Sequence, residues 1–241
     1  VFSKISARTG GRMRYFVSGG APLAAEINKF FYAAGLTILE GYGLTETSPV
    51  IGVNTPAAFR IGTIGRPIAG VEVQIAGDGE VLTRGPHVMK GYWNHPDATA
   101  EAIDADGWFH TGDIGVLEDD YLRITDRKKD IIVTAGGKNV APQNLESHLK
   151  SSPFLSQVMV YGDRRKFLSA LVTLDEEAIR KWATDRGISF TSAEELTQNA
   201  EVYKLVEGII ADKNRTLASY ETIKKFAILE RDLTVESGDL T

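Results

Sequence analysis

The stretch Gly41-Tyr42-Gly43-Leu44-Thr45-Glu46-Thr47 follows directly on Thr37-Ile38-Leu39-Glu40. The four preceding residues predict a short β-strand, so the glycine-rich stretch is interpreted as the turn at that strand's exit. Its glycines let the backbone pass close to a ligand, and Tyr42 offers a flat face on which a purine ring stacks. Thr45 and Glu46 add a hydroxyl and a carboxylate suited to phosphate and Mg2+. A plain glycine-rich turn with an exposed acid accounts for the same residues, so this stretch alone leaves its function open.

The residues upstream of this turn predict a β-α-β unit. Residues 12–17 are typical of a strand, and residues 23–34 predict an amphipathic helix that Gly35 ends. The apolar face of that helix consists of Ile27, Phe30, Phe31 and Ala34. A parallel sheet is the natural setting for such a unit, and ligands bind beyond the carboxyl ends of its strands. Because Ser18-Gly19-Gly20-Ala21 and residues 41–47 both lie at such ends, the two glycine turns predict one cleft.

The composition is that of an ordinary globular protein, and it excludes several kinds of site. The chain has 241 residues, of which 43% are hydrophobic and 24% are charged. A net charge of -5 gives no support to a nucleic-acid surface. Because cysteine is absent, disulfides, thiolate metal sites and cysteine nucleophiles are excluded. The four histidines lack the spacing of a zinc site, and no apolar run reaches the length of a membrane span.

Beyond residue 62 the pattern changes to short strands separated by turns, which predicts a small antiparallel or barrel-like subdomain. Residues 97–103 predict a short helix with Asp97 as its cap. The charged run Asp126-Arg127-Lys128-Lys129-Asp130 is interpreted either as a solvated hairpin turn or as a domain hinge. A second α/β region follows this run. Its predicted helices are residues 143–150, 176–186, 193–199 and 201–217, and its predicted strands are residues 158–161, 168–174 and 225–229.

Together these residues indicate a nucleotide site that lacks a Walker loop. The candidate groups are the two glycine turns, a loop carboxylate at Asp113 and basic side chains at Arg127 and Lys129. A carboxylate accepts hydrogen bonds from both hydroxyls of a ribose, an arginine contacts ribose or phosphate, and a lysine neutralises charge. Every group that an adenylate requires is therefore present in the sequence, and their convergence in space is a hypothesis.

With these motifs the chain resembles the adenylate-forming superfamily of acyl-CoA synthetases, luciferases and peptide-synthetase adenylation domains. The matches occur in order over nearly the whole chain, and as a set they are highly specific. They are residues 18–23, 41–46, 62–67, 84–86, 89–93, 108–113 and 126–138. Residues 136–142, Gly-Gly-Lys-Asn-Val-Ala-Pro, are most like the long-chain fatty acid–CoA ligases, and the helical stretch near 192–217 fits that branch.

The resemblance implies roles for five residues of the two glycine turns. Gly20, Ala21 and Tyr42 resemble the residues of the family's adenine pocket. Thr45 resembles the catalytic residue that contacts the adenylate phosphate, and Glu46 resembles the Mg2+ ligand. If these assignments hold, both the base and the phosphate of one nucleotide bind at the glycine-rich edge of the predicted sheet.

Five residues further along the chain complete the implied site. Asp113 and Arg127 resemble the pair that binds the ribose, and Lys129 resembles the hinge about which the family's C-terminal domain rotates. Gly137 and Lys138 resemble part of the loop that lines the channel for the pantetheine of coenzyme A. For Lys138 alone, a β-turn lysine is the plainer interpretation.

The resemblance also implies an α/β fold and an acid–thiol ligase reaction. Residues 1–126 are expected to form the C-terminal portion of a large adenylation domain, with a parallel β-α-β piece and the barrel-like subdomain. Residues 127–241 are expected to form a small, mobile α+β domain. A fatty-acid carboxylate attacks the α-phosphate of ATP, giving acyl-AMP and pyrophosphate, and the thiol of coenzyme A then attacks the acyl carbon and releases AMP. The implied cofactors are ATP/AMP, Mg2+ and coenzyme A.

Two other functions remain open. One is another branch of the family, an aryl-CoA ligase or a carrier-protein adenylation enzyme, which differs in acid preference and in dependence on coenzyme A. The other is a non-catalytic nucleotide-binding module that keeps the scaffold. Acyl length and oligomeric state do not follow from the sequence. We expect a cytoplasmic protein with no nucleic-acid partner, and peripheral association with a membrane stays an open alternative.

We predict that the 241 residues alone are inactive. The family's upstream Ser/Thr/Gly-rich phosphate loop is not among them, and Gly238-Asp239-Leu240-Thr241 resembles the lead-in to the Pro-Thr-x-Lys segment that carries the catalytic lysine. A first residue other than Met adds to the expectation of a piece of a longer chain. The purified chain should therefore show no ATP–pyrophosphate exchange, and measurable exchange would refute this prediction.

Overall fold

The computed structural model describes residues 2–240, apart from the side chains of Phe2, Ser3 and Ser6. The chain divides into two compact units, Val1–Lys129 and Asp130–Thr241. The sequence predicted a boundary between residues 126 and 127, in the same charged run. Among the described residues, 2–240, no helix has the length and apolar character needed to cross a bilayer.

A four-stranded sheet with one crossing helix opens the first unit. Its elements are α1 (Phe2–Arg8), β1 (Tyr15–Ser18), α2 (Ala25–Ala33), β2 (Thr37–Gly43), β3 (Val50–Val53) and β4 (Arg66–Pro67). The strand order is β1-β2-β3-β4. β1 and β2 are parallel and α2 connects them, which confirms the predicted β-α-β unit. β3 and β4 extend the sheet with antiparallel pairing.

The glycine-rich stretch continues β2, so the turn predicted to begin at Gly41 is wrong. Residues 37–40 of β2 pair with β1, and residues 41–43 pair with β3. The chain turns only at the short 3-10 segment Thr45–Thr47. A Cβ atom on Gly43 would lie 1.6 Å from the carbonyl oxygen of Pro49, so the returning chain passes this close only because residue 43 is glycine.

A four-stranded antiparallel sheet completes the first unit and confirms the predicted antiparallel subdomain. Its elements are β5 (Glu72–Ile75), β6 (Glu80–Arg84), α3 (Pro96–Ala102), β7 (Phe109–Glu118) and β8 (Tyr121–Arg127). The strand order is β5-β6-β7-β8. The N-cap position of α3 is His95 instead of the predicted Asp97, and the His95 side chain makes no capping hydrogen bond. Pro96 occupies the first helical position, where its fixed backbone angle suits a helix.

A small apolar core joins the two sheets of the first unit. Ile51 of β3, Val81 of β6 and Leu122 of β8 are fully buried in one cluster, with part of Tyr42 packed against them. Burying a side chain of this size contributes about 1.5–3 kcal/mol. The cluster therefore holds the end of β2 beside the antiparallel sheet.

Helix α2 turns a polar residue toward the sheet. The predicted apolar face is wrong for Ile27 and Phe30, whose side chains are exposed, whereas Ala34 is buried as predicted. The fully buried side chain of the helix is Asn28, whose Nδ2 donates to Glu40 Oε1 at 2.8 Å. A hydrogen bond to the strand thus replaces the apolar contact that the periodicity predicted.

The second unit is an α+β fold around a three-stranded sheet. Its elements are β9 (Ile132–Val133), β10 (Asn139–Val140), α4 (Pro142–Lys150), β11 (Leu155–Tyr161), β12 (Leu168–Leu174), α5 (Glu176–Asp185), α6 (Ala193–Thr197), α7 (Ala200–Asn214) and β13 (Ile223–Ile228). β11 and β12 are antiparallel, and β13 is parallel to β12. β9 and β10 form a separate antiparallel pair. Every helix and strand predicted for this region is confirmed, with ends that differ by a few residues.

Local capping residues explain why three of these helices can be predicted from the sequence. α5, α6 and α7 follow Asp175, Ser192 and Asn199, and each of these side chains accepts a hydrogen bond from a backbone N–H of the first turn. Such caps satisfy N–H groups that have no partner within the helix.

The charged run at residues 126–130 is not a hairpin turn, so that interpretation is wrong. β8 pairs with β7, whereas β9 pairs with β10, and the strands on either side of the run are therefore not partners. The division between the two units falls within the run, after Lys129. The run is the connection between the units.

We expect Leu168→Ala to lower the free energy of unfolding of the second unit by about 2–5 kcal/mol, because Leu168 is fully buried in its core and the variant leaves a cavity. Met159→Ala on the neighbouring strand is the matched control. Its side chain is 44% exposed, and its effect should stay within about 1 kcal/mol. Urea denaturation, with hydrogen exchange of the β12 amides, measures both variants. Equal effects would contradict the assignment of Leu168 to the core.

Candidate functional site

A cleft of about 1020 Å3 lies in the first unit, at the edge where β1 and β2 end. Its lining includes residues 17–20 and 41–46, at and just beyond the ends of β1 and β2, and residues 111–113 and 127–129, from β7 and the end of β8 onward. A cleft of this volume is at the upper end of the range for small-molecule sites. Both glycine-bearing segments therefore reach the same cleft.

Main chain makes up much of the wall formed by the first sheet. A Cβ atom on Gly19 would lie 3.2 Å from the carbonyl oxygen of Gly41, which is tighter than most side-chain contacts. The two strand ends approach each other this closely because no side chain stands between them. A ligand on this wall meets backbone groups directly.

The two walls are joined by a hydrogen bond from the phenol of Tyr42 to Asp113 Oδ2 at 2.5 Å. Asp113 is 7% exposed, and Tyr42 is half-buried. Burial, and after it the bond to Asp113, raises the pKa of the Tyr42 phenol well above its ordinary value, so the phenol stays protonated and donates. The bond fixes the plane of the Tyr42 ring at the cleft.

Asp113 lies inside β7, so its predicted position in a loop is wrong. It is the register partner of Arg127 on β8. Arg127 Nε lies 3.7 Å from Asp113 Oδ1, while Tyr42 holds the other carboxylate oxygen. A strand position surrounded by these partners holds the carboxylate more rigidly than a loop would.

Thr45 and Glu46 lie in the 3-10 turn that closes the cleft beyond β2. The turn is held from within by Thr47, which is fully buried. Its Oγ1 accepts a hydrogen bond from the N–H of Leu44 at 2.9 Å and donates to the carbonyl oxygen of Pro49 at 2.8 Å. Thr47 is therefore structural, and Thr45 and Glu46 are the residues that the turn presents.

Glu46 is also held from outside the turn, by the segment after β6. The phenol of Tyr92 donates to Glu46 Oε1 at 3.0 Å, and the N–H of Met89 donates to the carbonyl oxygen of Glu46 at 2.7 Å. The N–H of Tyr92 is bonded in turn to Thr99 Oγ1 of α3 at 2.9 Å. The orientation of the Glu46 carboxylate thus depends on a part of the chain to which the sequence assigned no role.

The sequence missed two further residues, Lys128 and Glu80. Lys128 lines the cleft between Arg127 and Lys129, and its Nζ donates to Glu80 Oε2 at 2.9 Å. The two residues are 48 positions apart, so no local spacing connects them. The charged run was the available signal for Lys128, and Glu80 had none.

Three predicted site residues lie outside the lining of the cleft. Ala21 follows Gly20 just beyond it. Gly137 and Lys138 belong to the second unit, in the turn between β9 and β10, where Gly137 has a φ of 72°. The N–H of Thr134 donates to the carbonyl oxygen of Lys138 at 3.0 Å across this turn, in keeping with the plainer interpretation of a β-turn lysine.

The cleft combines two carboxylates, Glu46 and Asp113, with the cations Arg127, Lys128 and Lys129. Cations suit a phosphorylated ligand, and a held carboxylate suits ligand hydroxyls. Within residues 2–240, no group of three or more His, Asp or Glu side chains is placed to hold a metal ion. A metal at Glu46 would therefore need oxygens supplied by the ligand, which is the usual arrangement for Mg2+ bound with phosphates.

Two family profiles match the chain. Residues 3–93 match the family described as AMP-binding enzyme, and residues 129–237 match the AMP-binding enzyme C-terminal domain. A long-chain-fatty-acid–CoA ligase, FadD15 of Mycobacterium bovis, is 44% identical over 243 residues, which cover 100% of this chain and 40% of the relative. The human long-chain-fatty-acid–CoA ligase 6 is 38% identical over 100% of this chain and 37% of its own length.

A solved structure shows the same fold. O-succinylbenzoate coenzyme A synthetase from Bacillus subtilis, in complex with ATP and magnesium ion, has a TM-score of 0.69 and 26% identity, covering 95% of this chain and 46% of that one. The chain thus spans about two fifths of the length of the curated ligases that it matches.

We expect the free energy of unfolding to fall less steeply at high pH in Tyr42→Phe than in the wild type. The raised pKa of Tyr42 contributes stability that is complete below the pKa of an unfolded tyrosine, about 10, and that is lost as the pH rises above it. Thermal unfolding between about pH 9 and 11.5 measures the slope for both proteins. If the free energy of unfolding falls with pH equally in both proteins, the Tyr42 phenol is not buried and bonded as the structure places it.

Proposed function

The chain belongs to the AMP-binding enzymes, since its two parts match that family and its C-terminal domain, and we propose that the whole protein is an AMP-forming long-chain fatty acid–CoA ligase. The 44% identity to a ligase of this kind extends over all of the chain and 40% of the relative. The observation that carries the proposal is the Tyr42–Asp113 bond, which brings the glycine-rich end of β2 and the Asp113 carboxylate of β7 to one cleft.

The proposed nucleotide lies in this cleft with its adenine against Gly20, Ala21 and Tyr42. Asp113 accepts hydrogen bonds from the ribose hydroxyls, and Arg127 contacts the ribose. The bond from Tyr42 leaves the carboxylate oriented before any ligand arrives, which lowers the entropy lost on binding.

Thr45 and Glu46 are proposed to act on the phosphates. The Thr45 hydroxyl donates to a phosphate oxygen, and Glu46 is the Mg2+ ligand. The residues fit this ion, because one protein carboxylate together with substrate phosphates and water is a common Mg2+ environment. The bound ion would neutralise charge on the phosphates, and Tyr92 holds the Glu46 carboxylate in place.

The proposed reaction has two steps. The fatty-acid carboxylate attacks the α-phosphorus of ATP, and pyrophosphate leaves with its bonding electron pair. The thiol of coenzyme A, having lost its proton, then attacks the acyl carbon, and AMP leaves. In both steps the chain contributes mainly positioning and charge stabilisation, with Arg127 beside the negative ligand.

We further propose that Lys129 is the pivot between the two steps. Its position as the last residue of the first unit supports this role. In this proposal Gly137 and Lys138 line the path of the pantetheine chain after the second unit has moved. If Lys129→Pro slows thioester formation but leaves acyl-AMP formation unchanged, the result supports Lys129 as the pivot.

A shorter or aromatic acid is the second candidate substrate, because the fold is shared with a synthetase that acts on o-succinylbenzoate. Acyl-AMP formation by the whole protein, measured across a series of fatty acids and with benzoate, distinguishes the two. A preference for benzoate would replace the long-chain proposal, and no adenylate from any acid would favour a non-catalytic nucleotide-binding module.

We expect Asp113→Asn to raise the KM for ATP of the whole protein about 10- to 100-fold, since a charged hydrogen-bond acceptor for the ribose is lost. Asp120→Asn is the matched control. It removes an exposed carboxylate from the turn after β7, and asparagine tolerates the positive φ of 66° found there. Fatty-acid-dependent ATP–pyrophosphate exchange measures both variants. An unchanged KM in Asp113→Asn would remove Asp113 from the nucleotide site.

A further inference from the structure

The buried carboxylate of Glu80, on β6, links β7 to the end of β8, the two strands that carry Asp113 and Arg127. Glu80 is 5% exposed. Its Oε1 accepts a hydrogen bond from the N–H of Gly112 on β7 at 2.9 Å, and its Oε2 accepts one from Lys128 Nζ at 2.9 Å. His110 Nδ1 lies 3.2 Å from the same Oε2. One side chain thus ties β7 to the residue that follows β8.

Lys128 is held at both its backbone and its side chain. Its Nζ lies 2.6 Å from Asp78 Oδ2 in addition to its bond to Glu80, and its N–H donates to the carbonyl oxygen of Gly112 at 2.8 Å. Gly112 and Lys128 are therefore linked directly, and again through Glu80. Such a closed arrangement resists sliding of one strand past the other.

The charges of this cluster depend on one another. Burial alone would raise the pKa of Glu80, but the bonds from Lys128, Gly112 and His110 outweigh it and leave the pKa below its ordinary value. Glu80 is therefore ionised at neutral pH. A buried charge that loses its partner is strongly unfavourable, so removal of the Lys128 ammonium should disturb Glu80 and the strands around it.

The residues held by Glu80 are the chain neighbours of the proposed ribose pair. Gly112 directly precedes Asp113, and Lys128 directly follows Arg127. Asp113 and Arg127 are register partners, but the register between β7 and β8 shifts one pair beyond them, between Ile114 and Gly115. The Glu80 cluster therefore adds a second restraint on their spacing, on the side of the pair away from this shift.

We propose that Glu80 is a positioning residue for ribose recognition, and that it acts by setting the spacing of Asp113 and Arg127 through Gly112 and Lys128. This inference rests on the proposed function of the cleft. Glu80 is not itself among the residues that line the cleft, and it does not touch the ligand in this scheme. Its effect should appear in the discrimination between a ribose and a sugar without hydroxyls.

The test compares the affinity of the whole protein for AMP with its affinity for dideoxy-AMP, which lacks both ribose hydroxyls, by isothermal titration. Glu80→Gln keeps the shape of the side chain and removes its charge, and Lys128→Met removes the partner. Each should reduce the preference for AMP about five- to tenfold. The double variant should show little more than either single variant, because both act through one contact. Glu118→Gln, which breaks an exposed pair with Arg123 on the same two strands, is the control and should leave the preference unchanged.

Hydrogen exchange at the Gly112 and Lys128 amides, measured without nucleotide, separates the two possible failures. Faster exchange in Glu80→Gln and Lys128→Met, but not in Glu118→Gln, together with the lost preference, supports the proposal. An unchanged preference for AMP in both variants overturns it, whatever the exchange rates. Wild-type protein that binds neither nucleotide overturns the proposed function, and with it the ribose role of Glu80, even if the exchange rates confirm that Glu80 holds the strands.

Discussion

A single hydrogen bond, from the phenol of Tyr42 to the carboxylate of Asp113, joins two parts of the chain that are 71 residues apart. It connects β2 of the first sheet to β7 of the antiparallel sheet, over the apolar cluster of Ile51, Val81 and Leu122. The carboxylate of Asp113 is buried, so breaking the bond would remove one hydrogen-bond donor from a buried charge. The cleft exists because this bond and this cluster hold the two sheets together.

The close approach of main chain at the end of β2 is the second constraint. Gly43 leaves room for the Pro49 carbonyl group, and Gly19 leaves room for that of Gly41. These contacts let β2 continue past Gly41, so that Tyr42 lies within hydrogen-bond distance of Asp113. The turn then presents Thr45 and Glu46 at the cleft, with the buried hydroxyl of Thr47 holding its shape.

Neighbouring side chains of the charged connection between the units make different contacts. Arg127 approaches Asp113, Lys128 is bound by Asp78 and Glu80, and Lys129 ends the first unit. Lys128 is therefore a fixed part of the first unit, although it stands in a run that looks uniformly solvated in the sequence. Any freedom of the second unit must begin beyond this fixed residue.

The family, the order of the elements and most residues of the cleft could be predicted from the sequence, because these have local signals. Glycines at strand ends, caps such as Ser192 and Asn199, and short motifs in a fixed order are all visible along the chain. The folded structure was needed to find that Asp113 is a strand residue, that Asn28 faces inward, and that Glu80 binds Lys128. The physical reason is that such contacts depend on which strands become neighbours. A polar pair across two strands leaves no periodic pattern in either one, so its partners are identified only when the sheet is complete.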